Sequence, residues 1–192
     1  MIFLTFGTGM GGGLILDGRL YEGANGLAGE VGHVRLERDG PVGYGKTGLF
    51  EGFCSGGGIA RLARSMAEAS LRAGHAPLYC PTLEDLPRVT AQGVGEAAQH
   101  GDALAMEVWG IVGHQLGHGL AMLVDILNPE RIVIGSIYGR QRALLEPLTM
   151  RALREEALPG ALVACEIVPA ALGEGIGIVA SLAVALHVTG RR

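Results

Sequence analysis

The segment from residue 7 to residue 33 constrains this chain more than any other. It reads Gly7-Thr8-Gly9-Met10-Gly11-Gly12-Gly13, a short apolar run, Asp17-Gly18, and then Gly29-Glu30-Val31-Gly32-His33. Backbone amides converge on a phosphate only where no Cβ blocks the approach and where positive φ is cheap. Such a run therefore marks either a phosphate loop or a glycine-rich turn without a ligand. The spacing of Gly7, Gly9 and Gly12 satisfies G-x-G-x-x-G, but the dinucleotide fingerprint needs a helix to begin inside the motif. Here Leu14-Ile15-Leu16 leads into Asp17-Gly18, and Asp-Gly between apolar runs is a type I′ hairpin signal. Ile2 to Thr8, Gly11 to Leu16 and Arg19 to Tyr21 are thus expected to form a strand, its hairpin partner and a third strand.

A second nucleotide motif competes. Gly40-Pro41-Val42-Gly43-Tyr44-Gly45-Lys46-Thr47 satisfies G-x4-G-K-[ST], and Lys46 is the only lysine of the chain. Val31 to Glu37 could be its strand, and Phe50 to Ala73 its helix, with Phe50, Phe53, Ile59, Leu62 and Ala63 on one face. A P-loop strand is buried in a parallel sheet and reads as a continuous apolar run. His33-Val34-Arg35-Leu36-Glu37 alternates instead. Met122-Leu123-Val124-Asp125, the one apolar run after the motif that ends in an aspartate, sits inside a long helical pattern.

The chain has 192 residues, 48% of them hydrophobic and 18% charged, which suits one large domain with a buried core. Its 33 glycines fall in discrete motifs, not in a repeat, so disorder is not expected. A net charge of −4 with scattered arginines gives no nucleic-acid surface, and no apolar run has the length of a membrane span. Cys54, Cys80 and Cys165 are widely spaced and form no C-x-x-C, as expected of reduced, mostly buried cysteines in a cytoplasmic protein. Tyr79 to Arg88 reads as a loop. Val89 to Gln99 and Asp102 to Leu127 read as helices, and Asn128-Pro129 stops the second. Arg131 to Gly135 is a buried parallel-type strand, Gln141 to Glu156 a helix, Leu162 to Val168 a strand and Gly177 to His187 a final apolar helix. This order predicts an α/β domain with the early hairpin at one side of its sheet. His114 and His118 are placed for packing, not metal, because no carboxylate precedes His118 as in H-E-x-x-H. Trp109 and Met106 are expected in the core or at a dimer interface. Arg140 and Arg142 are expected at a solvated helix start.

The ordered set Thr5 to Gly13, Gly26 to His33, Gly48-Leu49-Phe50-Glu51, Leu127 to Gly135 and Leu172 to Gly177 resembles the C-terminal domain of ROK family proteins. These are bacterial sugar kinases and sugar-responsive repressors of the actin-like ATPase (ribonuclease H-like) fold. The resemblance covers nearly the whole chain. It implies one ROK C-terminal domain over 1–192, with a glycine hairpin at 5–21, a sugar-binding segment at 25–58, and a helical and adenosine-side α/β segment at 89–188. It implies ATP with Mg²⁺ as the nucleotide. Gly7, Thr8, Gly9, Gly11 and Gly12 would wrap the phosphates, while Gly135, Ser136, Gly173 and Gly175 would flank the adenosine. It places Asn25, Glu30, His33 and Glu51 at the sugar-contacting positions, where two carboxylates and an imidazole suit the hydroxyls of a hexose.

Two departures from the family pattern stand out. The family often holds zinc with the histidine of E-x-G-H and three cysteines of a C-x-C-G-x-x-G-C-x-E run. Counted back from Glu51, those cysteines are Val42, Tyr44 and Leu49 here, so no structural zinc is expected and apolar packing would hold the loop. The G-x4-G-K-T match then reads as an accident of that loop. The family's catalytic aspartate and its Asp-x-Gly-Gly-Thr loop precede the first glycine strand, and Met1 stands at that boundary. The expectation is a C-terminal lobe without its N-terminal lobe, a hexose kinase domain inactive by itself toward the 6-hydroxyl. The alternatives are a non-catalytic sugar-sensing module of a repressor and an unrelated P-loop NTPase. A homodimer through the long helix around Trp109 and the segment before Asn128 would cover the face left open.

Overall fold

A computed structural model describes residues 1–175 together with 179, 181–183 and 186. The final helix expected over 177–187 falls largely outside the described residues. Strands β1 (Ile2–Phe6), β2 (Met10–Leu16) and β3 (Arg19–Tyr21) form an antiparallel meander. Asp17 and Gly18 turn β2 into β3 with φ of 50° and 73°, the pair of positive values that type I′ requires. On its other edge β1 pairs in parallel with β6 (Arg131–Ile134), and β6 in parallel with β7 (Glu166–Pro169), giving the order β3-β2-β1-β6-β7. Ile2, Leu4 and Phe6 alternate into a core shared with Ile132 and Ile134, and all five are fully buried.

The central helix α4 (Ala103–Leu127) starts where the sequence indicates: Asp102 Oδ1 accepts the Ala105 amide at 2.7 Å. It packs against α6 (Arg142–Glu156). A Cβ on Gly113 would stand 2.6 Å from Leu148 Cβ, and one on Gly117 the same distance from Ala152 Cβ. Glycine at these two positions is what lets the helices approach so closely. Helices α2 (Gly56–Arg72) and α3 (Ala91–Gln99) flank α4, while α5 (Ile137–Arg140) joins β6 to α6.

Several expectations need correction. Residues 50–73 are two helices, α1 (Phe50–Phe53) and α2, because Ser55 leaves the helical region and caps α2 by accepting the Gly58 amide at 3.0 Å. Val31 to Glu37 is not a strand but a 3-10 turn over Val31–His33 followed by irregular chain, with a single bridge between Arg35 and Leu49. The strand expected over Leu162 to Val168 is only its last part, since Pro159 opens helix α7 (Pro159–Val163). Leu83–Arg88 within the expected loop is a 3-10 helix. Trp109 is completely buried, which removes it from any dimer interface, whereas Met106 is exposed.

The P-loop reading fails on geometry. Residues 42–47 are a two-stranded hairpin, β4 (Val42–Gly43) against β5 (Lys46–Thr47), turned by Tyr44 and Gly45 with φ of 48° and 72°. Lys46 and Thr47 lie in an exposed antiparallel strand rather than at the start of a helix, so no loop of amides faces a phosphate.

Candidate functional site

The turn from Gly7 to Gly9 between β1 and β2 lies at the centre of the site. Its neighbours were set by backbone contacts that only glycine permits. A Cβ on Gly29, which has φ of 90°, would overlap the Gly12 carbonyl, and one on Gly32 would overlap the Met10 carbonyl. The Gly29-Glu30-Val31-Gly32-His33 segment therefore lies directly on β2, fixed by the Gly12 amide donating to the Gly29 carbonyl at 2.7 Å. Helix α1 closes the third side. The Phe50 amide donates to the Val34 carbonyl at 2.8 Å, and its ring fills the space left by Gly119 on α4. Glu51 is thus held on a short, anchored helix and accepts the Met10 amide through Oε2 at 3.0 Å.

Glu30, His33 and Glu51 are brought together by this packing. His33 Nε2 stands 3.7 Å from Glu30 Oε2, an ion-pair separation longer than a hydrogen bond, with both side chains open to solvent. A Cβ on the neighbouring Gly32 would meet the Glu51 side chain at 3.3 Å. Asn25 lies on the exposed turn closed by the Ala28 amide and the Glu22 carbonyl, before this cluster begins.

On the other side of the turn, Gly7, Thr8 and Ser136 line a cavity of about 540 Å³ with Gly56, Gly57, Arg64, Gln92 and Arg140. The Gly56 amide donates to the Gly7 carbonyl at 2.7 Å, so the N-terminus of the 17-residue helix α2 abuts the turn and directs its positive end there. Ser136 leaves β6 with φ of 56° and ψ of −111°, an unfavourable conformation for a residue with a Cβ. Its Oγ lies near Gly7, 3.6 Å from where a Cβ would stand. Arg64 and Arg140 are charged groups of the lining, and none of its described residues carries a carboxylate. The cavity therefore suits an anion and offers Mg²⁺ no anionic protein ligand. Arg142 is paired with Glu146 at 2.8 Å and holds that carboxyl below its usual range. A second cavity, of about 550 Å³, shares Ala91, Gln92, Ile137 and Arg140 with the first and continues to Glu96, Gln99 and Gln141.

The expected phosphate amides divide. Gly11 donates to Thr5 Oγ1 at 2.9 Å and Gly12 to the Gly29 carbonyl, so both amides are committed to the fold. Among the described residues the Thr8 and Gly9 amides take no partner. Gly173 and Gly175 lie in a 3-10 turn after β7 and are not among the described residues lining the cavity. Gly56, Gly57, Arg64 and Gln92 were not singled out from the sequence. The signal was present in Ser55-Gly56-Gly57, a helix cap followed by two residues that carry no Cβ.

The residues around His33 do not fit zinc. Leu49 is buried, but Val42 and Tyr44 are exposed, and the Tyr44 ring stacks on His33 with centroids 4.1 Å apart. No group of three or more His, Cys, Asp or Glu side chains gathers to hold a metal among the described residues. Purified protein is expected to contain no stoichiometric zinc, as measured by elemental analysis. One zinc per chain surviving chelator treatment would overturn this. Among the described residues no helix is long and apolar enough to cross a membrane.

Comparison with known proteins is consistent over most of the chain. The ROK family profile matches residues 1–187. A glucokinase of Halalkalibacterium halodurans is 36% identical over 184 residues, which cover 93% of this chain and 54% of that protein. A xylose repressor of Caldicellulosiruptor bescii is 33% identical over 137 residues, 71% of this chain and 33% of that one. A crystal structure of a ROK family glucokinase from Streptomyces griseus in complex with glucose and AMPPNP superposes with a TM-score of 0.72 at 29% identity. That superposition covers 90% of this chain and 55% of the other. The chain spans about half the length of the curated glucokinases it matches. With the profile matched from the first strand to beyond the last described residue, this chain belongs to the ROK family.

Proposed function

We propose that the chain forms the ATP- and hexose-binding face of a ROK sugar kinase that transfers the γ-phosphoryl group to the sugar 6-hydroxyl. The observation that carries this reading is the Glu51–Met10 hydrogen bond. It ties the helix bearing one sugar-contacting carboxylate to the turn that faces the anion-suited cavity. Phosphoryl transfer depends on positioning both reactants and stabilising charge, with little covalent work for the protein. A shared backbone element between the two subsites supports that requirement. On this reading Glu30, His33 and Glu51 hydrogen-bond the hydroxyls. The Thr8 and Gly9 amides and the positive end of α2 face the phosphates. The adenosine lies along Gly135-Ser136 toward α3. A homodimer, through the segment before Asn128 that exposes Ile126, and residence in the cytoplasm belong to the same proposal.

A sugar-sensing role without catalysis is the second reading. Its support is the 33% identity to a repressor across 71% of the chain. Both readings keep the sugar cluster, and only the first requires the nucleotide.

Calorimetry with ATP separates the nucleotide loops. A Cβ on Gly9 would stand 2.9 Å from Glu51 Oε2, so Gly9→Val pushes Glu51 off the turn and screens the Thr8 and Gly9 amides. ATP binding is expected to fall below detection in Gly9→Val and to change little in Lys46→Ala. The reverse ranking would overturn the assignment.

A further inference from the structure

The β4–β5 hairpin places a tyrosine where the backbone disfavours one. Tyr44 has φ of 48°, a left-handed conformation that glycine, asparagine and aspartate tolerate and that crowds a bulky side chain. Asn-Gly is the sequence that a type I′ turn prefers, and here it is Tyr44-Gly45. The residue is also 66% exposed, so burial of apolar surface does not explain its presence. Its ring contact is His33, with centroids 4.1 Å apart and planes tilted by 38°. The base of the hairpin is closely packed: a Cβ on Gly43 would stand 2.8 Å from the Gly52 amide nitrogen, which places β4 directly against α1. A backbone seated on the helix of Glu51 thus carries an aromatic ring across to the imidazole beside Glu30.

We infer that Tyr44 is a positioning residue, which holds the His33 imidazole toward Glu30 and the sugar by stacking on its face. This rests on the sugar-binding role given to His33 above. An unstacked, half-exposed histidine samples several χ1 and χ2 wells and must lose that freedom when it binds. Stacking removes part of the cost beforehand, so its loss appears as weaker sugar binding rather than as a weaker fold.

Tyr44→Asn is the informative variant, because it gives the turn its preferred residue pair while removing the ring. Its melting temperature is expected to match or exceed that of the unmodified chain. In NMR spectra the His33 ring protons, shielded by Tyr44, should move downfield. The dissociation constant for D-glucose should rise about tenfold, Tyr44→Phe should restore it, and adding Tyr44→Asn to His33→Ala should change nothing further. Unshifted His33 ring protons, or glucose binding unchanged in Tyr44→Asn while His33→Ala weakens it, would overturn the positioning role alone. Weakening in Tyr44→Asn without weakening in His33→Ala would mean that Tyr44 itself touches the sugar, and also overturns it. Glucose binding insensitive to His33→Ala and to Glu30→Ala would instead remove the sugar reading on which it rests.

Discussion

Residues 1–192, expressed alone and supplied with ATP and glucose, are expected to show no sugar-dependent ATP consumption above background. A general base must come within hydrogen-bond reach of the hydroxyl it deprotonates. The five aspartates of the chain are placed elsewhere. Asp17 turns β2 into β3 and Asp39 lies in the exposed loop before β4. Asp85 accepts from Thr82, Asp102 caps α4, and Asp125 accepts the Leu158 amide at 2.9 Å. None of them lines the cavity beside Gly7 and Thr8. Glu51 is committed through Oε2 to Met10. Joining the polypeptide to the N-terminal half of a related glucokinase, such as that of Halalkalibacterium halodurans, should restore turnover on the kinase reading. Glu30→Ala or His33→Ala in that hybrid should then raise KM and lower kcat. Each lost hydrogen bond to a hydroxyl should cost about 1–3 kcal/mol in kcat/KM. A coupled assay for ADP measures this directly. Hexose phosphorylation by residues 1–192 alone would show that the base lies within this chain.

The parts of this fold that local chemistry dictates are legible in the sequence. Asp17-Gly18 announces its turn because few residue pairs accept two positive φ values in succession, and Asp102 announces its helix because its carboxylate meets an otherwise orphaned amide. The parts dictated by contacts distant in sequence are not. His33 to Glu37 alternates like a strand, yet Gly29 and Gly32 must lie flat on the Met10 and Gly12 backbone, which bends the chain into a 3-10 turn. Phe50 to Ala73 has one continuous apolar face, and the break at Ser55 follows from Gly58 and Gly56 docking on the Gly52 and Gly7 carbonyls. The Gly40-to-Thr47 pattern matched a phosphate loop in composition only. Its glycines serve a hairpin and its contact with α1.

The candidate site divides along the same line. Residue types and order single out Glu30, His33 and Glu51 through the family resemblance, and the structure sets Glu30 beside His33 and ties Glu51 to Met10. Pattern assigns Gly11 and Gly12 to the phosphate, but the direction of an amide is a tertiary property, and these two are engaged by Thr5 and Gly29. The sequence sets Arg140 and Arg142 together at an expected helix start, but Arg140 ends α5 and Arg142 opens α6. Arg142 engages the Glu146 carboxylate one turn onward, and Arg140 lies on the cavity lining.

Gly29→Ala is expected to destabilise the fold strongly, and Gly13→Ala almost not at all. Both lie within the same glycine-rich region and both changes add one methyl group, so composition does not separate them. The Gly29 backbone, at φ of 90°, strains any residue with a Cβ, and its methyl would overlap the Gly12 carbonyl, on a strand held in register with β1 through Leu4. Left-handed strain costs about 1–2 kcal/mol. The backbone shift and the weakened Gly12–Gly29 hydrogen bond bring the expected loss to about 3–5 kcal/mol, a large part of a typical domain's stability. For a chain of this size that is a fall of roughly 10 °C in Tm. At Gly13 the backbone keeps an ordinary strand φ and nothing lies within 4 Å of the added Cβ, so the smaller entropy lost by alanine on folding leaves stability unchanged or slightly higher. Urea unfolding of the two variants measures the difference. If the strained segment relaxes by detaching from β2 and the rest of the chain stays folded, the loss will appear instead as sugar binding, because Glu30 and His33 leave with it. A Gly29→Ala variant with unaltered stability and unaltered glucose affinity would mean that the Gly29–Gly12 contact does not set the site.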